Sequence, residues 1–178
     1  MLAYARGDAA SFETLYGRHR AGLFGFVLRS VKTRAEAEEL FQEIWMRAIE
    51  ARARYQPTAR FSTWLYTIAH HRLIDHWRAR GLSLVSLDAH DDDDAPALDP
   101  AADASWEPHE IAVAVQSRDR LARAIAALPL AQREAFLLHA EGGLTVPEIA
   151  RATATNEEAA KSRLRYALNK LREAIADD

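Results

Sequence analysis

Cysteine is absent from the 178 residues, which removes a disulfide framework, a thiolate zinc site and a thiol nucleophile together. Long apolar runs are missing too. The longest uncharged stretch of membrane character, Ala21 to Leu28, falls far short of the roughly 20 apolar residues that span a bilayer. The start of the chain already carries Arg6 and Asp8 and lacks the apolar segment and small-residue cleavage site of a secretory signal. The expectation is a cytoplasmic protein with no membrane insertion. Sustained apolar–polar alternation and Asn-Gly or Asp-Gly turns are also lacking, which argues against strands.

What is present is ordinary globular composition, 49% hydrophobic and 28% charged, with an uneven charge distribution. Residues 1–87 hold 13 Lys and Arg against 8 Asp and Glu. Residues 88–117 hold nine acids and no Lys or Arg, and residues 118–178 return to a balance of +1. The acidic block also contains Pro96, Pro100, Pro108 and the run Asp91 to Asp94, so it has too little apolar surface to offset the entropy of ordering it. The organisation expected is a helical module over 1–80, an acidic flexible linker over 81–109 and a second module over 110–178. Stretched out at about 3.3 Å per residue, such a linker reaches roughly 95 Å, and as a coil about 30 Å. Each module is small enough for its isolated stability to be modest, so a bound partner is expected to help.

Helical periodicity dominates both modules. Ala37, Leu40, Phe41, Ile44, Trp45 and Ala48 recur at helical spacing after Thr33 and Glu36, a capping-box pair, and predict a helix over Arg34 to Ala53. Phe12, Leu15, Tyr16, His19, Leu23, Phe26 and Val27 predict one before it, and a third runs from Ser62 to Arg80 after the break at Gln56-Pro57-Thr58. In the second module helices are expected over Ile111 to Ala127, Ala131 to Glu141, Val146 to Ala152 and Asn156 to Ala176. Gly142-Gly143 closes the second of these, and Thr145/Glu148 and Thr155/Glu158 are read as capping boxes for the last two. The fold class is all-α. A short helix, a tight turn and a long helix outline a helix-turn-helix. On the long helix Ala160, Leu164, Ala167, Leu168, Leu171 and Ile175 share one face, leaving Ser162, Arg165, Tyr166 and Asn169 outside, flanked by Lys161 and Arg172. Such a face can donate to phosphates and base edges.

The helix over Ser62 to Arg80 is not simply amphipathic. Leu65, Ile68 and Ala69 form a core face, while Trp64, Tyr66, His70, His71 and Trp77 spread over two further stripes among Arg60, Arg72, Arg78 and Arg80. Aromatic platforms among cations suit unpaired nucleic acid, each stacked base being worth roughly 1–3 kcal/mol. Core packing with a solvated basic end is the competing reading. A metal site at His70, His71, Asp75 and His76 lacks an HExxH or comparable pattern, and Asp91 to Asp94 lack the glycine and spacing of a calcium loop. Ser83, Ser86 and the histidines show no nucleophile-elbow or triad spacing, which argues against an enzyme. A stand-alone helix-turn-helix regulator of duplex DNA remains the alternative, although such a protein gains nothing from base-stacking platforms.

The order of several segments sharpens the reading. The stretch Ala35 to Ile49 (AEAEELFQEIWMRAI), then Phe61 to Ala69 (FSTWLYTIA), then Leu128 to Phe136 (LPLAQREAF), then Glu148 to Ala150 and Lys161 to Leu164, resembles the extracytoplasmic-function sigma factors of bacterial RNA polymerase. The similarity covers nearly the whole chain and places two unrelated modules in the right order around a variable linker.

That resemblance implies a non-enzymatic initiation factor with no cofactor and no catalytic residue. Its partners would be core RNA polymerase, promoter DNA and an anti-sigma factor. By similarity, Glu38, Glu39, Gln42 and Glu43 dock on the polymerase clamp helices. Arg60, Trp64, Tyr66, His71, Arg72 and Arg78 serve the minus-ten element, His71 helping to capture a flipped base where many members have Asn. Imidazole and carboxamide offer different donors and acceptors. His139, Asn156, Lys161, Ser162, Arg165 and Tyr166 would contact the minus-thirty-five duplex, with His139 where Arg is common and Glu157-Glu158 where a small uncharged pair is usual. The acidic linker would thread the polymerase's nucleic-acid channels.

Overall fold

The computed structural model describes residues 1–81 and 119–176, and among them there are helices and turns but no strand. Apart from Gly81, the linker expected over 81–109 lies outside the described residues, as do positions 111–118 of the expected helix. A short α1 (Leu2–Ala5), which no periodicity or cap announces, precedes α2 (Ala9–Ser30). Asp8 begins α2 by accepting from the Ser11 amide at 3.3 Å and the Ser11 hydroxyl at 2.6 Å. Helix α3 (Arg34–Glu50) starts on the expected capping box, with Thr33 and Glu36 each bonded to the other's backbone N–H. It ends three residues earlier than its periodicity predicts, tightening into a 3-10 turn over Ala51–Arg54. Replacing Thr33 with alanine removes one of these bonds at an exposed site, and an increase in unfolding tendency of about 1 kcal/mol is expected in a denaturant titration.

Helix α4 (Phe61–Ala79) lies across α2 and α3. Leu23, Phe26 and Val27 from α2, Leu40 and Ile44 from α3, and Leu65, Ala69 and Leu73 from α4 are all buried. Aromatic rings extend this core toward the chain start: Trp45 packs against Tyr16 at 5.0 Å and edge-on against Phe12 at 5.7 Å.

The second set of helices is α5 (residues 119–127 as described), α6 (Leu130–Ala140), α7 (Val146–Ala152) and α8 (Glu157–Ala176). Gly143 turns the chain after α6 at φ 61, a conformation that glycine adopts without steric cost. Between α7 and α8 the same left-handed geometry falls on Ala154, φ 51, where a Cβ costs roughly 1–2 kcal/mol. A Schellman pair offsets that strain, Thr155 N–H donating to Ala150 at 2.9 Å and Ala154 N–H to Arg151 at 3.4 Å. Helix α8 is capped by Asn156, whose Oδ1 accepts from the Ala159 amide at 2.7 Å. The cap therefore sits one residue later than the expected Thr155/Glu158 box.

Ala160, Leu164, Ala167 and Leu171 of α8 are buried against α6 and α7, whereas Leu168 and Ile175 are exposed. Leu168 stands at the edge of the apolar arc, and Ile175 lies a turn beyond Leu171.

The two sets of helices are docked on one another and their buried side chains form one continuous cluster. Helix α6 approaches α2, and α7 lies along α4. The partner expected to support each small module is, in this arrangement, the other module.

Candidate nucleic-acid interface

Helix α4 carries most of the residues singled out for the unpaired strand, and its neighbours sort them. Trp64 is half-buried, held edge-on by Tyr55 at 5.0 Å and tilted against Phe61 at 5.7 Å. His71 and Arg78 are exposed. Tyr66 is only 1% exposed, packs edge-on against Phe26 at 5.3 Å, and donates its hydroxyl to the Glu141 main-chain oxygen at 3.1 Å. Burial first, and the Glu141 charge second, push the Tyr66 phenol well above its ordinary pKa. Trp77 and His70, the other members of the aromatic array, are also buried: the Trp77 indole donates to the Ser30 carbonyl at 3.3 Å, and His70 Nδ1–H donates to Glu134 at 2.6 Å. The surface array thus reduces to Trp64 and His71. A helical wheel gives the angle of each ring, not which flanks a neighbouring module covers.

Arg60 is exposed and reaches Glu148 of α7 at 3.5 Å. Arg72 is half-buried and bonded to Glu43 of α3, tying α3 to α4. The bond from Arg72 holds the Glu43 carboxyl below its usual pKa, and the same bond raises that of the guanidinium. Two residues assigned by resemblance to different partners are therefore partners of each other. Glu38, Glu39 and Gln42 are exposed on α3, Glu38 paired with Arg34 at 2.8 Å. Exposed Met46 stands one turn on from Gln42. Met46 is not among the residues expected to dock on polymerase, although an apolar side chain at this spacing beside Glu39 and Gln42 breaks the polar stripe in the sequence.

On α8, Lys161 is exposed and Ser162, Arg165 and Tyr166 are half-buried. The Arg165 guanidinium lies over the Tyr166 ring at 5.1 Å and reaches its hydroxyl at 3.4 Å, while its Nε is buried without a hydrogen-bond partner among the described residues. Asn156 is exposed and spends its carbonyl on the helix cap. His139 lies apart on α6. Its Nδ1–H donates to the Leu144 carbonyl at 2.9 Å, which leaves Nε2 for an outside partner. A short helix, the strained turn and the long helix with these polar groups have the outline that seats a helix in a major groove.

A cleft of about 550 Å³ separates α4 from the α7–α8 turn, with His71, Asp75 and Arg78 on one side and Thr155 and Arg163 on the other. Among the described residues, no group of three His, Asp or Glu gathers as a metal site would require, and no helix is long and apolar enough to cross a membrane.

Comparison with known proteins adds independent findings. The family model for Sigma-70 region 2 matches residues 15–82, and that for Sigma-70, region 4 matches residues 118–171. The chain is 30% identical to RNA polymerase sigma factor CarQ of Myxococcus xanthus over 99% of this chain and 96% of that protein. It is 32% identical to ECF RNA polymerase sigma factor SigK of Mycobacterium tuberculosis, over 94% and 87% respectively. In fold it is similar to the sigma factor RpoE of Bartonella quintana solved with the anti-sigma factor NepR, with TM-score 0.69, 23% identity and coverage of 94% and 98%. It is also similar to CnrH solved with the cytosolic domain of CnrY, with TM-score 0.67, 20% identity and coverage of 98% and 94%.

Proposed function

Because the chain belongs to the sigma-70 family as an extracytoplasmic-function RNA polymerase sigma factor, we propose a residue-level division of its labour. The protein is a non-enzymatic initiation factor that directs RNA polymerase to promoters. Residues 1–80 form the unit that docks on core polymerase through Glu38, Glu39, Gln42 and Glu43. That unit holds the unpaired minus-ten strand directly with Arg60, Trp64, His71 and Arg78, while Tyr66 and Arg72, bonded within the protein to Glu141 and Glu43, position the helix that carries them. Residues 81–109 form the linker, and residues 110–178 form the unit that reads the minus-thirty-five duplex with His139, Asn156, Lys161, Ser162, Arg165 and Tyr166. Its working place is the cytoplasm. An anti-sigma factor is its regulatory partner, by analogy with the complexes of the two structural relatives.

One observation supports this division best. The chain pairs a helix-turn-helix bearing Lys161 and Arg165 with a separate helix bearing a surface tryptophan braced by Tyr55 and Phe61. A duplex-only regulator has use for the first feature alone.

Transcription in vitro with core polymerase tests the reading. Lys161→Ala is expected to weaken upstream-element binding evenly across sequences and to lower the salt slope by about one. Arg165→Ala is expected to lose about 1–3 kcal/mol of base discrimination while binding core polymerase normally. Transcript starts unchanged by addition of the wild-type protein would sink the assignment.

A further inference from the structure

The cleft between α4 and the α7–α8 turn sorts its charges by depth. Two of the residues that line it, His70 and Glu134, are only 6% and 4% exposed and form its floor. They are joined by the 2.6 Å bond from His70 Nδ1–H to Glu134 Oε1. That bond uses one oxygen of the carboxylate, which has acceptor capacity for further donors. The rim carries cations from both modules, the guanidinium of exposed Arg78 on α4 and that of half-buried Arg163 on α8. Asp75 shares the rim and is paired with Arg47 at 3.9 Å, which offsets its charge in part.

Space and apolar surface accompany these charges. The cavity volume of about 550 Å³ falls within the roughly 300–1,000 Å³ of small-molecule sites and exceeds what a single inorganic anion fills. Ile74 and Ala131 supply apolar lining. His71, exposed on the rim, has its ring 5.6 Å from that of His70 and tilted by 53°, and an imidazole so placed offers a face on which a base stacks. A ligand matched to this order has a hydrogen-bond donor at one end, a flat ring in the middle and an anion at the other.

We propose that this cleft is a binding site for an aminopurine nucleotide, its exocyclic amine donating to Glu134 at the floor, its base against the His71 ring and its phosphates between Arg78 and Arg163 at the rim. Guanidinium groups match phosphate oxygens with charge-assisted, paired hydrogen bonds, and two of them facing one cleft hold more than a single phosphate. The buried carboxylate sets the polarity, since it accepts from an amine and repels a phosphate, so the nucleotide enters base first. His71 and Arg78 thereby serve two ligands: the nucleotide in the free factor and, by the assignment above, the unpaired strand during initiation.

Isothermal titration of the full-length free protein with ADP, inosine diphosphate and inorganic pyrophosphate tests this. ADP is expected to bind at one site per chain and to raise the melting temperature. Inosine diphosphate, which meets Glu134 with an oxygen in place of the amine, is expected to bind about tenfold more weakly, and pyrophosphate, which has no base, more weakly still. Arg163→Ala is expected to weaken ADP binding about tenfold. Thr155→Trp, which fills the cleft and keeps both arginines, is expected to abolish it. Lys170→Ala makes the same change of charge at an exposed position of α8 outside the cleft and is expected to leave binding unchanged. Absence of ADP binding, or equal affinity in the Arg163, Thr155 and Lys170 variants, overturns the cleft as the site. Equal affinity for all three ligands overturns the nucleotide, because the contact is then with any anion. Neither result bears on the sigma reading, which is tested separately by transcript starts.

Discussion

Phe26→Ala is expected to lower the unfolding free energy by about 3–5 kcal/mol, read from the midpoint of a urea titration at constant slope. Phe26 is fully buried, sits between Leu23 and Val27 on α2, and meets Tyr66 edge-on at 5.3 Å. Truncation removes the transfer free energy of the ring and leaves a cavity beneath the helix that carries Trp64. Because Tyr66 leans on Phe26 and donates to Glu141 across the module boundary, the loss also loosens the docking of α6. A single transition shifted as a whole would mark the two modules as one cooperative unit. Two separated transitions, with the first alone moved, would mark them as independent. A shift below about 0.5 kcal/mol, the level of a surface change, would contradict this ring's place in the core.

The second large effect concerns Trp64→Ala, for which open-complex formation is expected to fall about 5- to 150-fold, the equivalent of roughly 1–3 kcal/mol of lost base stacking. The ring also contacts Tyr55 and Phe61, so part of any effect is structural. Trp64→Phe, which keeps an aromatic face, separates the contributions: it should restore most of the opening rate if stacking is the main loss. Core-polymerase binding is expected to stay at the wild-type level in both variants, since the row Glu38, Glu39 and Gln42 lies on α3 and is untouched. Permanganate reactivity of promoter thymines reads the opening, and co-elution with core polymerase reads the binding. Equal reactivity for all three proteins would remove Trp64 from the strand-opening role.

Local signals in the sequence carried the helices. Thr33 and Glu36 located the start of α3, Val146 to Ala152 came out as α7, and the Gly142-Gly143 pair marked the end of α6, because each depends on chemistry within a turn of itself. Competition between adjacent caps was less legible. Asn156 rather than Thr155 starts α8, since the carboxamide reaches the Ala159 amide. Long-range choices were not legible at all. Nothing near Gly22 announces that its missing Cβ makes room for Glu141, and nothing near Tyr66 says that the ring turns inward while Trp64, two positions earlier, stays at the surface. The pairing of Glu43 with Arg72 follows the same rule, since it depends on how α3 and α4 cross and not on either helix alone.

Glu148 links two kinds of bond that differ in what they survive. Its contacts with the Thr145 amide and hydroxyl, both 2.9 Å, lie within α7's own first turn, whereas those with Thr63 and Arg60 cross to α4. Should α7 leave α4, the crossing bonds pass to water and the local ones remain, so no helix unravels. Far-ultraviolet circular dichroism would register nothing, while scattering at small angles would report a larger radius of gyration. Such a rearrangement is a rigid-body event on the microsecond-to-millisecond scale and needs no refolding.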